Sequence, residues 1–447
     1  MKTNTLLATG WMIAGIALQA QTTTEFVPFH RFIENTRTVR SNQMMRADAL
    51  GPDASNFEPM RQHILRTYEG VNVTHSFVRD SAHFDCIPVD QQPAIRALGL
   101  QSVAAEPPKS LLMGNQIVSD DASVGQTAPA AQAPESAKDE FGNSTSCEEH
   151  TIPMRRMTMN DVSNSGSLGG FFQKRSAVPA EAIDGSLVQP KSPTDGHKYS
   201  ITYQNVNNLG GGSTLNLWDP AVDTLKGETM SLSQQWYMGG SGASTQTAEV
   251  GWQVMPDYWG TNRAVLFIYW TAADYDQDNY PGIAGGGCYN MTCGAFVQTS
   301  SIYTLGGAFT TYSTPGGPQY DFSAEFYLYQ GNWWLAINGT YIGYFPGSLY
   351  RGGQMSRNAE LIEFGTESVG SPIWPAEGSG YWSTSGFGYA AYQRNVFYHN
   401  LSEATAPAAL KLYQPAPACY STAGPFVSNS PGWNVYFYEG GPGGSGC

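Results

Sequence analysis

From about residue 197 onward, apolar and polar residues follow a short repeating pattern. Runs rich in Tyr, Trp, Val and Phe alternate with clusters of Gly, Asn and Pro, as in STLNLWDP, TAEVGWQVMP, RAVLFIYWTA and GNWWLAING. Such runs, each bounded by turn residues, are typical of short β-strands. Many short strands in succession predict an all-β fold, either a sandwich or a barrel.

The pattern before residue 197 is different. Residues 22–118 mix polar stretches with helical-looking pieces such as PMRQHILRTYEG. Residues 119–146 are rich in Ala, Pro, Ser and Asp and carry few large apolar side chains, a composition typical of linkers and disordered segments. Residues 147–196 stay irregular and include the dibasic pair Lys174-Arg175. We therefore expect an N-terminal region, a linker and a C-terminal β-domain.

The chain begins with MKTNTLLATGWMIAGIALQAQ, in which Lys2 precedes a short apolar stretch. The small residues that end this stretch predict a secretory signal peptide, residues 1–20, cut near Ala20. A membrane anchor is the alternative, but the apolar run is short and no basic residues follow it. No later stretch is long and apolar enough to span a bilayer, so we expect a secreted protein with no membrane partner in its mature form.

Composition supports the strand prediction and excludes some partners. The 447 residues include 50 Gly, 11 Trp, 25 Tyr and 20 Phe, and only 13 % are charged, against about 25 % in typical soluble domains. Abundant glycine and aromatic residues suit an all-β protein with tight turns. The net charge of −14 argues against nucleic acid or an anionic membrane as a partner, because both require basic patches.

Six cysteines in an exported chain indicate disulfides. Pairing each cysteine with its neighbour in sequence is the simplest scheme without nesting, and it gives Cys86–Cys147, Cys288–Cys293 and Cys419–Cys447. A metal site is the alternative, although this spacing is not that of a zinc site. We therefore expect no metal.

Several chemistries find no support in the β-rich region. The chain has no H-E-x-x-H or G-x-S-x-G motif. A serine triad or a histidine-ligated zinc would have to use His197 or His399, with partners far away in sequence. No phosphate-binding or dinucleotide fingerprint lies between a strand and a helix, so we expect no cofactor.

Carboxylates remain as candidates. Period-2 alternation in TAEVGWQV puts Glu249 and Gly251 on one face, away from the apolar Val250 and Trp252. In LIEFGTES the same alternation groups two glutamates around a glycine. If both strands lie in one sheet, two carboxylates converge, and one pKa rises while the other falls. Such a pair can activate water and protonate a leaving group at acid pH; solvated acids on an exposed face are the plainer alternative.

At this point a family resemblance becomes visible. The segments SLSQQW, AEVGWQVMP, YWTAADY, GCYNMTCGAFVQ, GNWWLAING, IGYFPGSLY, IEFGTES and the terminal FYEGGPGGSGC resemble, in this order, the neprosin family of proline-cleaving glutamic peptidases. The resemblance covers about residues 197–447. It implies a secreted acid endopeptidase with a two-sheet antiparallel β-sandwich of concanavalin or jelly-roll type, no metal, and a catalytic pair of glutamates. Proline-containing peptides or proteins are the substrates it implies.

The resemblance also implies site residues. The family's first catalytic glutamate lies in an E-A-G-W stretch, which AEVGW matches with Glu249. The second lies in a W-G-G-E stretch, which FGTE matches with Glu367, although Phe364 and Thr366 depart from that pattern. The departure leaves Glu363, on the same face, as the alternative. The Cys288–Cys293 and Cys419–Cys447 pairs also fit the family's disulfides.

Three further residues are possible site neighbours or core residues: Gln234, Tyr237 and Trp252. By position and composition, residues 21–118 are interpreted as a pro-region, residues 119–196 as a linker with the activation segment, and residues 197–447 as the catalytic domain. We expect the pro-region to act as an intramolecular inhibitor that covers the acidic face. Glu249 has no cationic neighbour in sequence, and we interpret it as one member of a pair with a second carboxylate. A glycoside hydrolase, or a non-catalytic sandwich that binds carbohydrate or protein, is the alternative.

Overall fold

The structure is a computed structural model of the chain. It describes residues 25–41, 54–112, 126–127, 137–174, 181–183, 186–188, 196–275 and 286–447. The predicted signal peptide lies outside these residues, and so does Arg175 of the dibasic pair.

The N-terminal part combines short helices with a small antiparallel sheet. Its helices are α1 (Phe29–Thr38), α2 (Ala54–Thr67), α3 (Pro93–Ala97), α4 (Met159–Ser163) and α5 (Leu168–Phe172). Its strands are β1 (His75–Arg79), β2 (Ala82–Pro88), β3 (Gln126–Thr127), β4 (Thr151–Arg155), β5 (Glu181–Ile183) and β6 (Ser186–Val188). Strands β1, β2 and β4 form one sheet in that order, and β5 pairs with β6.

The C-terminal part is built almost entirely of strands. These are β7 (His197–Asn208), β8 (Gly210–Asn216), β9 (Glu228–Gly239), β10 (Gln246–Val254), β11 (Val265–Thr271), β12 (Gly287–Tyr289), β13 (Val297–Gln298), β14 (Tyr320–Tyr329), β15 (Asn332–Ile337), β16 (Thr340–Pro346), β17 (Ala359–Gly370), β18 (Ile373–Trp374), β19 (Ala391–His399), β20 (Thr405–Pro407), β21 (Lys411–Tyr413), β22 (Ser421–Ser428), β23 (Asn434–Gly440) and β24 (Gly444–Ser445). A single turn of helix, α6 (Pro256–Trp259), follows β10.

These strands form two large sheets. The seven-stranded sheet has the order β12-β11-β10-β9-β17-β7-β21. The ten-stranded sheet has the order β13-β16-β15-β14-β8-β19-β23-β22, with β20 attached to β19 and β3 attached to β14. The pairs are antiparallel except for β3 with β14, which is parallel. The predicted all-β sandwich class is therefore confirmed, and the N-terminal part contributes one strand to it.

The main core lies between the two sheets. Val250 and Trp252 of β10 are fully buried on the inner face of the seven-stranded sheet. The Trp252 indole donates a hydrogen bond to the backbone oxygen of Asn216 on β8, 3.0 Å away. The Tyr237 ring of β9 lies 5.7 Å from the ring of Phe326 on β14. Because successive side chains of a strand point to opposite faces, the neighbours of these residues form the outer face.

Strand β9 lies between β10 and β17, and its register decides which residues share a row on that outer face. Trp236 lies opposite both Glu249 and Glu363. The next row of the outer face places Gln234 between Gly251 and Gly365. The row after that consists of Gln253, Leu232 and Glu367. Glu249 and Glu367 therefore lie in the rows before and after the row of Gln234, in which both neighbours of Gln234 are glycines.

Three disulfides are formed, and they are the pairs predicted from the sequence: Cys86–Cys147, Cys288–Cys293 and Cys419–Cys447. The first lies entirely within the N-terminal part. The other two lie entirely within the strands and loops of the C-terminal part.

Candidate active site

Glu249 lies near the middle of β10 on the outer face, with no solvent exposure. The hydroxyls of Thr247 and Tyr275 donate hydrogen bonds to its Oε1, at 2.7 and 2.8 Å. Burial, reinforced by the nearby Glu249 charge, raises the pKa of Tyr275 well above its ordinary value. Tyr275 is therefore a permanent hydroxyl donor to this carboxylate.

Glu367 lies on β17 and is 1 % exposed. The Tyr199 hydroxyl donates to its Oε1 at 2.8 Å, and His197 Nδ1 lies 2.7 Å from the same oxygen. Both partners come from the start of β7, which pairs with β17 so that Tyr199 is directly opposite Glu367. From the sequence, His197 was considered only as a member of a serine triad or as a zinc ligand. In the structure it contacts the Glu367 carboxylate.

The two glutamates meet at one ammonium group. Lys174 Nζ lies 2.5 Å from Glu249 Oε2 and 3.3 Å from Glu367 Oε2. The two Oε2 atoms are thus no farther apart than the sum of those distances. The Lys174 side chain is 1 % exposed, and its Nζ lies 5.3 Å from the centre of the Trp236 ring. An ion pair this deeply buried has strong mutual attraction, because little water screens it.

This contact corrects one interpretation of the sequence. Glu249 does have a cationic partner, although Lys174 is 75 residues away in the chain. The lysine was noted in the sequence only as half of a dibasic pair. Strand periodicity reports which face a residue occupies, and it contains no information about a segment that crosses the sheet from another part of the chain.

The segment that carries Lys174 is held in place along the outer face. The ring of Phe171 stacks on that of Tyr258, with centroids 5.0 Å apart. The Tyr269 hydroxyl donates to the Phe172 carbonyl oxygen and accepts from the Lys174 backbone N–H, both at 3.1 Å. Tyr269 lies directly opposite Glu249 on the adjacent strand. One hydroxyl beside the glutamates thus contacts the backbone of a peptide lying across them.

Gln234 lies in the row between the two glutamates. Its side chain is fully buried, and neither its Oε1 nor its Nε2 has a hydrogen-bond partner among the described residues. A buried amide without partners is costly, and this one leaves two hydrogen-bonding groups unused beside the glutamates. Its neighbours on the two adjacent strands, Gly251 and Gly365, carry no side chains.

The remaining candidates separate clearly. Glu363 lies on the same outer face, opposite Trp236, and is 2 % exposed. Tyr237 and Trp252, which from sequence alone were either site walls or core, lie on the inner face and belong to the core. The Tyr237 hydroxyl donates to Gln235 Oε1 at 2.9 Å, within that interior.

Two more carboxyl groups, which the sequence analysis did not single out, lie directly behind the site. Thr366 donates a hydrogen bond to Glu377, and the Ser233 hydroxyl donates to Glu439 Oε1 at 2.7 Å. Both glutamates are fully buried between the sheets. Burial raises the pKa of Glu377 well above its ordinary value and that of Glu439 to about 8. They are therefore neutral, protonated groups in acid solution.

No group of three or more His, Cys, Asp or Glu side chains that could hold a metal ion occurs in the part of the chain that the structure describes. Among those same residues, no helix combines the length and apolarity needed to cross a membrane.

The fold and the site together define a two-sheet β-sandwich with a buried pair of glutamates on the outer face of one sheet. A family model described as Neprosin matches residues 227–442, a range that contains both glutamates. This match confirms the resemblance seen in the sequence and indicates a peptidase-type function for the β-sandwich.

Proposed function

We propose that the chain is the zymogen of a secreted glutamic endopeptidase that cuts peptide bonds on the C-terminal side of proline at acid pH. The observation that carries the proposal is the convergence of Glu249 and Glu367 on one ammonium group. Two carboxylates close enough to contact one ammonium group are close enough to contact one water molecule in its place. The family match adds the reaction type, and the resemblance adds the preference for proline.

The contacts of the two glutamates suggest a division of roles. The Tyr199 hydroxyl donates a hydrogen bond to Glu367 Oε1, and His197 Nδ1 lies 2.7 Å from the same oxygen; hydrogen bonds donated to a carboxylate favour its ionised form. Glu249 has Lys174 as its cationic partner in the full-length chain, and once that lysine leaves, Glu249 retains the neutral hydroxyl donors Thr247 and Tyr275. We therefore assign Glu367 as the base and Glu249 as the acid.

In the proposed reaction, Glu367 takes a proton from a water molecule whose oxygen attacks the scissile carbonyl carbon. Protonated Glu249 donates a hydrogen bond to the carbonyl oxygen, and the Gln234 amide supplies a further donor as negative charge develops there. The Glu249 proton then passes to the leaving nitrogen as the C–N bond breaks. Glu367 ends protonated and Glu249 ionised, and exchange with solvent restores the pair.

The N-terminal part accounts for latency in this proposal. Lys174 occupies the position between the glutamates where the water and the carbonyl would lie. Its ion pairs persist only while the carboxylates are ionised, so acidification weakens them. Cleavage within residues 175–193, a stretch that follows Lys174 directly, then releases the segment.

The test uses Glu249→Gln, Glu367→Gln and Glu363→Gln in the full-length protein, incubated at about pH 3 to 5. Mass spectrometry follows both the protein's own truncation and the cutting of a proline-containing peptide. We expect the first two variants to lose at least about 100-fold in rate, because each removes a proton-transfer group.

Glu363→Gln is the matched control, because it makes the same chemical change on the same face of the same sheet. It should keep its activity. Loss of activity with Glu363→Gln but not with Glu367→Gln would move the second catalytic role to Glu363. Cuts at positions unrelated to proline would contradict the specificity.

A further inference from the structure

An aromatic surface lies on the outer side of the ten-stranded sheet, away from the glutamates. It consists of five uncharged side chains, Val297, Trp334, Ala336, Tyr341 and Tyr344, which we call the aromatic face. On β15, alternation sends Trp333 and Leu335 into the main core and leaves Trp334 on this side. The Trp334 ring lies 4.5 Å from that of Tyr344 and 5.7 Å from that of Tyr341.

In the full-length chain the N-terminal part covers the aromatic face. Its five side chains are at most 2 % exposed. The apolar residues packed on them from the N-terminal part are Ala94, Ile95, Leu98, Leu100, Val103, Ala104 and Leu112. Besides these apolar contacts, the Ala104 backbone N–H donates a hydrogen bond to the Tyr344 hydroxyl at 2.9 Å. The face thus binds both the side chains and the backbone of a peptide.

The covering segment has a distinctive sequence and conformation. Residues 103–112 read VAAEPPKSLL, and residues 103–108 belong to neither helix nor strand. Pro107 is buried, whereas Glu106 is exposed and has its Oε1 3.5 Å from the Thr299 hydroxyl. Pro108 has φ −55° and ψ 132°, close to polyproline II. Surfaces lined by aromatic side chains are a recurring way to bind such extended proline segments.

We propose that the aromatic face is a second peptide-binding site of the mature protein, and that it takes extended, proline-containing segments of the substrate. The inference rests on the proposed function, because the N-terminal part must leave before the face is open. A long proline-rich chain would then be held at a second point while another of its segments is cut, which raises the local concentration of cleavable bonds.

The disulfide pattern allows the face to open. Cys86–Cys147 closes within the N-terminal part, while the other two bridges close within the sandwich. A cut between residues 175 and 193 therefore leaves no covalent link between the segment and the face.

The test starts from the full-length chain with Glu249→Gln, so that probe peptides are not consumed. Residues 176–180 are replaced by the recognition site of an added protease, and the folded protein is cut and its fragments are separated. Fluorescence anisotropy then measures binding of a labelled synthetic peptide of residues 101–112. We expect saturable binding that weakens at least about 5-fold when Pro107 and Pro108 of the peptide are both replaced by Ala.

A second variant addresses the protein side. Tyr344→Phe removes only the hydroxyl that accepts from the peptide backbone, so the affinity should fall about 2- to 10-fold, as expected for one hydrogen bond. Equal affinity for the Pro and Ala peptides, no binding, or an N-terminal fragment that stays bound after the cut would each overturn the proposal.

Cutting of a short proline peptide by the cut protein with native Glu249 is measured in parallel. If that peptide is cut and the probe does not bind, the second site fails and the proposed function stands. If the probe binds with the expected proline preference and no peptide is cut, the second site stands and the proposed function fails.

Discussion

At the scale of single residues, one lysine decides the state of the site. Lys174 contributes the positive charge between two buried glutamates, and its Nζ also lies over the rings of Trp236 and Phe267. Removing only the charge would leave two carboxylates facing each other in a low-dielectric environment, where like charges repel strongly. The docked segment would then lose the two ion pairs that hold it, and water would be favoured in its place.

We therefore predict that Lys174→Met loosens latency. The variant keeps an unbranched apolar side chain but loses the ion pairs. At about pH 6 to 7 its truncation rate should be at least 10-fold higher than that of the native chain, as followed by mass spectrometry over time. Lys411→Met, which removes an exposed cation from edge strand β21 of the same sheet, is the control. Identical pH dependence in the two variants would contradict the role of Lys174.

The local sequence predicts part of this site and misses the rest for a physical reason. Alternation correctly separates Glu249 from Trp252, because the two faces of one strand differ in polarity. The same alternation does not predict the partners of the glutamates. His197 and Lys174 reach Glu367 from 170 and 193 residues away, and contacts at that separation depend on the fold rather than on the pattern of either segment.

At the scale of elements, the geometry of the site depends on β9 and its two neighbours. The sequence predicts strands at β10, at β17 and in the run ETMSLSQQWYMGG, which is β9. It does not predict that β9 lies between the other two, because strand order and register are set by pairing partners far away in the chain. For the same reason Tyr237 could not be assigned to a face beforehand. Once β9 is in place, Gln234 necessarily falls between Gly251 and Gly365.

A substitution at Gly365 would test how tightly β17 is packed against β7. The φ of Gly365 is +151°, and a Cβ there would come within 2.5 Å of the Ser200 carbonyl oxygen on β7. We predict that Gly365→Ala lowers the melting temperature by several degrees and reduces activity, since β17 must shift and carries Glu367 two residues later.

Gly260→Ala is the matched control for that change. Gly260 also has a positive φ, +69°, but nothing lies within 4 Å of its Cβ position. A loss of stability no larger than that of Gly260→Ala would show that the contact with β7 is unimportant.

At the scale of the whole molecule, the buried acids between the sheets link stability to pH. Glu439 keeps its proton in the folded protein up to a pKa of about 8, because burial disfavours its charge, whereas an unfolded glutamate loses it near 4.5. The Ser233 hydroxyl donates a hydrogen bond to it, and burial keeps the nearby Glu377 neutral as well. Its stabilising effect is therefore complete below about pH 4.5 and is lost as the pH rises through about 8.

We predict that Glu439→Gln reduces the loss of stability between about pH 5 and 8, because an amide of the same shape does not ionise. The measurement is the melting temperature of both proteins across that range. The difference between them should favour the variant increasingly towards pH 8. Parallel curves would mean that Glu439 is ionised in the folded state.

The position of Lys174 has a consequence for what happens after maturation. A cut soon after this residue leaves the lysine near the new carboxyl terminus of the departing fragment. The fragment then carries a negative terminal carboxylate a few bonds from the positive Lys174 ammonium. The repulsion of this carboxylate by the two glutamates largely cancels the attraction of the ammonium. The released fragment would be a poor inhibitor when added back, so activation would run in one direction only.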